Sequence, residues 1–173
     1  TPIYYLYDSE NKLWGLQYNS NTYFYARNAQ DDIIKIIDNN GNEVVNYTYD
    51  AWGNLKSTTG SLASTLGVAN PYRYRGYRFD TETGLYYLQS RYYNPAWGRF
   101  INADDVAVLG LAQGQIGGAN LFAYCGNDPV MGSDPSGYFR INIAWTAAII
   151  DVILLAMFPH LETTFSVCGL SLR

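Results

Sequence analysis

The sequence predicts a mainly β protein of antiparallel strands, and three observations carry that prediction. It holds 17 Tyr and 16 Gly; tyrosine packs its ring on a half-buried strand while its hydroxyl stays satisfied, and glycine makes the turns between strands. Polar turn signals recur about every ten residues between short alternating runs such as NTYFYAR and EVVNYTY. Hydrophobic residues make up 48% and charged residues 15%, which supplies a core and excludes a disordered acidic tail.

The elements follow in chain order. YDSENKL begins at Tyr7, RNAQDDI at Arg27, IDNNGNE at Ile37 and YDAWGNL at Tyr49. In each, Asp or Asn follows an aromatic, aliphatic or long side chain, and Asn, Asp or Gly comes three residues later. These residue types accept positive φ or bond to their own backbone, so they close hairpins. An imperfect repeat of this type predicts serial hairpins, each burying its face on the next; an ordinary β-meander is the alternative. Lys56 to Pro71 is small, polar and Gly-rich and reads as a long loop. Beyond it, DTETG and NPAWG punctuate an aromatic block into three strands: Tyr72–Phe79, Leu85–Tyr93 and Arg99–Asn102. NLFAYC reads as one more short strand, and Asp128 to Gly137, with two Asp-Pro pairs, as irregular and extended. Ile143 to Phe158 is nearly all apolar with Asp151 inside, and predicts a short C-terminal helix. Its length of about 24 Å falls short of the roughly 30 Å of a bilayer core. Pro159 ends it.

Several function classes are disfavoured. A net charge of −4 without a basic stripe argues against a nucleic-acid partner. No Gly-Lys-Ser/Thr completes a phosphate loop, and no cofactor is implied. Two cysteines, Cys125 and Cys168, without C-x-x-C predict neither zinc nor any other metal site, nor a disulfide framework. The single histidine, His160, has no nucleophile and acid placed around it by any motif. The chain opens on Thr1 with no leader pattern, which reads as the C-terminal piece of a longer protein whose export signal lies upstream.

One stretch, SRYYNPAWGRFINADD from Ser90 to Asp105, crowds arginines and aspartates among aromatics. YTYDAWGNL resembles the YD repeat of the RHS-repeat family. YRYRGYRFDTETGLYYLQSRYYNPAWGRFINADD followed by GGANLFAYCGNDPVMGSDPSG resembles its RHS-repeat-associated core domain. The resemblance divides the chain into YD repeats and loop (1–70), core domain (71–138) and variable C-terminal segment (139–173). It implies a β-strip that spirals into a hollow shell, closed by the core, as in insecticidal toxin complexes, cell-wall-associated toxins and teneurins. In self-cleaving relatives the core cuts the chain just after the DPxG signature and frees a toxin of bacterial antagonism.

The resemblance carries residue by residue. The Arg of RYY is Arg91, the Asp of the ADP element is Asp104, and the Asp of DPxG is Asp134. The implied cut falls between Tyr138 and Phe139. An aspartyl-protease-like, single-turnover pair makes chemical sense of the crowding. One carboxylate deprotonates water while the other, protonated, polarises the scissile carbonyl. A guanidinium holds one of them ionised, and aromatic walls strengthen both effects. Asp104 is the expected base. Two departures stand out: ADP is ADD, so Asp105 is a possible substitute, and Tyr138 replaces the commoner Leu. The implied partners are upstream RHS repeats of the same chain and a cognate immunity protein, with a membrane reached only through residues 143–158 and a secreted or surface location. Two alternatives remain at this point: a non-catalytic cell-surface scaffold, in which Asp104 caps a turn, Asp134 opens one and Arg91 forms a structural ion pair, and a small membrane-active C-terminal peptide.

Overall fold

The computed structural model describes residues 2–105, 120–138 and 141–142. Its first layer is a six-stranded antiparallel meander of β1 (Ile3–Tyr7), β2 (Leu13–Tyr18), β3 (Asn21–Arg27), β4 (Ile33–Asp38), β5 (Glu43–Tyr49) and β6 (Leu55–Thr59), paired in sequence order. The repeat read from the sequence is a repeat of turns. Asp8 Oδ1 accepts the backbone N–H groups of Glu10 and Lys12 at 2.9 and 2.8 Å. Asn28 does the same for Gln30 and Asp32, Asp38 for Asn40 and Asn42, and Asp50 for Trp52 and Asn54. The residue three places on has positive φ in every copy: Asn11, Asp31, Gly41 and Gly53. A register shift immediately precedes each turn, at Leu6/Tyr7, Ala26/Arg27, Ile36/Ile37 and Thr48/Tyr49. The remaining hairpin, β2–β3, turns on Asn19 and Ser20, both at positive φ, as a two-residue primed turn requires. That turn accounts for the wider gap between the first two copies of the repeat.

The inward face of this sheet buries Leu16, Ile33, Ile36, Val45 and Tyr47 with Leu66. Here the loop expected over Lys56–Pro71 needs correction. Its first part is β6, hydrogen-bonded to β5, and Leu66–Ala69 is a one-turn helix, α1. Leu66 is fully buried beneath it, and Arg73 donates to the carbonyls of Gly67, Val68 and Asn70. A polar sequence thus gains structure from one buried leucine and a cation satisfying the carbonyls of the turn.

The second layer is a four-stranded antiparallel sheet of β7 (Arg78–Asp80), β8 (Leu85–Tyr87), β9 (Tyr92–Asn94) and β10 (Arg99–Phe100), in the order β10-β9-β8-β7. Its strands are shorter than expected, for identifiable reasons. Tyr72–Phe79 is broken by a 3₁₀ turn at Tyr74–Gly76 with Arg75 at φ 54°; the buried Asp32 carboxylate accepts the Arg75 N–H at 2.9 Å and fixes the break. Leu85–Tyr93 is interrupted by a turn with Gln89 at φ 66°, in which the Leu88 N–H donates to the Arg91 carbonyl at 2.9 Å. NLFAYC is not a strand: Ala123 makes one bridge to Arg99, and a 3₁₀ turn follows at Cys125–Asn127. Within the irregular stretch after it, β11 (Gly132–Ser133) pairs with β12 (Ile141–Asn142).

The second core is almost wholly aromatic: Tyr74, Tyr77, Tyr86, Tyr93, Phe100 and Tyr124, with Leu88 and Cys125. It grips the last repeat turn. Tyr74 donates to the Ala51 carbonyl at 2.9 Å, Tyr86 to Gly53 at 3.0 Å and Tyr93 to Trp52 at 2.7 Å. No described helix is long and apolar enough to cross a membrane. The expected helix over 143–158, and with it His160 and Cys168, lies outside the described residues.

Candidate functional site

The β8–β9 turn that interrupts the expected strand also turns Arg91 inward. The side chain is 6% exposed, and its guanidinium lies on the Phe100 ring, 3.6 Å from the centroid. A cation in that position needs acceptors all round, since burial without them is costly. It finds four. Nη2 lies 3.0 Å from Asp104 Oδ2 and 3.4 Å from Asp134 Oδ2. Nη1 donates to the Leu121 carbonyl at 3.1 Å, and Nε donates to the Gly137 carbonyl. Both carboxylates are themselves withdrawn from solvent, the Asp134 side chain at 4% exposure and Asp104 at 10%.

Each acid is held by its own backbone. The Asp104 N–H donates to the Leu121 carbonyl at 3.0 Å, so Leu121 ties the arginine and the aspartate together. Asp104 Oδ1 accepts the Asp105 N–H at 2.8 Å. The Asp134 N–H donates to Tyr77 Oη at 3.1 Å, and Tyr77 returns its own proton to the Asp134 carbonyl at 2.9 Å. Further along, the Ser136 carbonyl accepts from Ser90 Oγ at 2.8 Å and from the Ser90 N–H at 3.3 Å. Gly137, at φ +75°, lies where a Cβ would sit 2.5 Å from Ser90 Oγ and 2.7 Å from the Leu88 carbonyl.

One guanidinium between two secluded carboxylates leaves a net negative charge if both acids are ionised. A pair of this kind offers one carboxylate to accept a proton and another to carry one. The cluster therefore contains, within hydrogen-bond reach of one arginine, the materials for a base and an acid.

The teneurin YD-shell family profile matches residues 2–130. This chain belongs to the teneurin YD-shell family. The tRNA3(Ser)-specific nuclease WapA of Bacillus spizizenii is 43% identical to the YD-shell chain over 136 residues, covering 78% of this chain and 6% of the relative. The toxin protein Tse5 of Pseudomonas aeruginosa is 44% identical over 69 residues, 40% of this chain and 5% of its own. Among solved structures, the Tc holotoxin pore of Photorhabdus luminescens superposes with a TM-score of 0.61 at 26% identity, over 72% of this chain and 5% of that one. TcdB2–TccC3 without its hypervariable C-terminal region gives 0.57 at 27%, over 71% and 6%. The YD-shell chain thus spans a small part of each relative. The RHS-type family expected from the motifs and the mainly antiparallel β architecture are both established.

In the YD-shell chain, three site residues named from the sequence meet: Arg91, Asp104 and Asp134. Asp105 is exposed, and its N–H donates to Asp104 Oδ1 at 2.8 Å. Tyr138 is 64% exposed, and Phe139 lies outside the described residues. Among the described residues no group of acids, histidines and cysteines forms a metal cluster. Sequence reasoning missed Tyr77, Ser90 and the Leu121 carbonyl. Tyr77 stands in an aromatic run where nothing marks one tyrosine from the next, and a main-chain carbonyl carries no signal of its identity.

Proposed function

We propose that this chain is the closing, self-cutting end of an RHS shell, and that it cleaves itself between Tyr138 and Phe139 to release residues 139–173. The observation that carries the reading is Arg91, which draws Asp104, Asp134 and the Gly137 carbonyl onto one buried guanidinium. A purely structural ion pair needs one acid. Here a second acid and the main chain just before the implied cut converge on the same cation.

Asp104, nearer to Nη2, is the base, and Asp134 holds the proton. Asp104 takes a proton from water as the hydroxide adds to the Tyr138 carbonyl carbon, and Asp134 gives its proton to the carbonyl oxygen. On collapse that proton returns to Asp134, the proton on Asp104 passes to the Phe139 nitrogen, and the C–N bond breaks. One water is consumed, and both acids end as they began. Upstream repeats of the same chain complete the shell around the released segment. A cognate immunity protein and a secreted or surface location belong to the same proposal, which the nuclease name of the WapA relative and the toxin name of the Tse5 relative support.

Intact-mass measurement on the chain expressed with its upstream repeats tests this. The wild type should yield a fragment with the mass of 139–173. Asp104→Asn and Asp134→Asn should remain whole, and Asp105→Asn should still cut. A wild-type protein that stays whole for days overturns the catalytic reading and leaves the scaffold.

A further inference from the structure

Resting on that reading, we infer that Tyr77 and Ser90 are positioning residues that clamp the DPSG segment and so set which peptide bond faces the acid pair. The Tyr77 hydroxyl has one proton and two lone pairs, and all are engaged. It donates to the Asp134 carbonyl and accepts the Asp134 N–H. Because its proton is committed, the 3.2 Å contact with Tyr124 Oη must have Tyr124 as donor. Burial pushes both hydroxyls up from the ordinary tyrosine value, so both remain protonated donors through the neutral range. Tyr77 thereby grips the main chain on either side of one α-carbon, the one bearing the Asp134 carboxylate. A rigid phenol ring, packed at 6.1 Å from Tyr74 and 6.4 Å from Tyr86, transmits that hold to the aromatic core.

Ser90 makes the second grip, two residues on. Its hydroxyl donates to the Ser136 carbonyl at 2.8 Å, and its N–H, bonded to the Leu88 carbonyl at 2.8 Å, also reaches the Ser136 carbonyl at 3.3 Å. The Ser90 hydroxyl also fills the space above Gly137, so that only a residue without a Cβ fits at that place. A slip of the segment by one residue would put a side chain against Ser90 Oγ and the Leu88 carbonyl. Ser90 directly precedes Arg91, so the residue that reads the register is joined to the residue that gathers the acids. The register is thus fixed at two points, Asp134 and Ser136, before the chain leaves the site at Tyr138. Neither residue touches the reacting carbonyl; each acts through the segment it holds.

Two measurements on the full chain test this. Tyr77→Phe retains the ring and removes the grip. It should slow first-order cutting about tenfold or more, and in an uncut Asp104→Asn background it should speed exchange of the Asp134 amide while amides of β2–β5 keep their protection. Ser90→Ala should spread the cut over neighbouring bonds, read as additional fragment masses, an effect that simple loss of stability does not produce. A wild type that cuts, with Tyr77→Phe cutting equally fast and Ser90→Ala giving a single fragment, overturns the clamp and leaves the proposed function standing. A wild type that never cuts removes the proposed function itself, and the clamp's positioning role with it.

Discussion

Arg91 combines charge, shape and stacking in a way that no other cation reproduces. Its fork reaches Asp104, Asp134, Leu121 and Gly137, and its plane lies on Phe100. Lysine retains the charge but offers a single ammonium, with neither the fork nor the stacked plane. Arg91→Lys should therefore leave part of the cluster unpaired, at a cost of about 3 kcal/mol. Urea unfolding measures the loss, and the variant should remain uncut by intact mass. A Lys variant with wild-type stability and cutting would reduce Arg91 to a point charge.

At the scale of the hairpin, the repeat is conserved in form but not in identity within this chain. In two turns the acid comes first and the amide four places later: Asn42 Nδ2 donates to Asp38 Oδ2 and Asn54 Nδ2 to Asp50 Oδ2, each at 2.9 Å. In the turn between β3 and β4 the order is reversed, with Asn28 Nδ2 donating to Asp32 Oδ2 at 2.7 Å. The reason lies outside the hairpin. Asp32 is buried and serves Arg75, accepting its backbone N–H at 2.9 Å with the guanidinium Nε at 3.6 Å. Asn28→Asp should therefore destabilise where an Asp is native in the other turns, by about 2 kcal/mol in denaturant unfolding, since it sets two carboxylates together. Acidification to about pH 4 should recover part of that loss, because the folded pair then binds a proton that restores a donor. The double exchange Asn28→Asp with Asp32→Asn repairs the turn but leaves Arg75 without its carboxylate, so it should remain below wild type.

Across the whole molecule, the two layers are joined by phenols rather than by aliphatic packing. Tyr74, Tyr86 and Tyr93 reach from the second core to the turn after β5, Asn54 answers by donating to the Pro95 carbonyl at 3.0 Å, and Tyr49 packs against both cores. Burial raises the hydroxyls of Tyr74, Tyr86 and Tyr93 above the ordinary tyrosine value. A group raised in the fold stabilises it fully below the unfolded pKa, about 10 for tyrosine, and loses that contribution as pH climbs towards the folded value. Stability should thus fall steeply above about pH 10. A phase of phenolate absorbance should rise together with loss of the β circular-dichroism signal. Complete ionisation of the tyrosines with the sheet signal intact would contradict this docking.

The sequence by itself determined the hairpin array, because an Asx turn is written within five residues: the acceptor, the N–H groups it takes and the positive-φ position all lie between Asp50 and Asn54. Its resemblance to the RHS core domain also named Arg91, Asp104 and Asp134, through the RYY, ADP and DPxG elements. Tertiary structure alone decided the rest. The strand breaks at Arg75 and Gln89, the plug of Leu66 and the meeting of Asp104 and Asp134 at one guanidinium all depend on partners far along the chain. Arg91 meets three of its four acceptors across separations of 30, 43 and 46 positions, and Tyr77 meets Asp134 across 57. Local rules cannot reach that far, because which buried donor finds which acceptor is settled only when the aromatic core closes and every polar group left inside it must be paired.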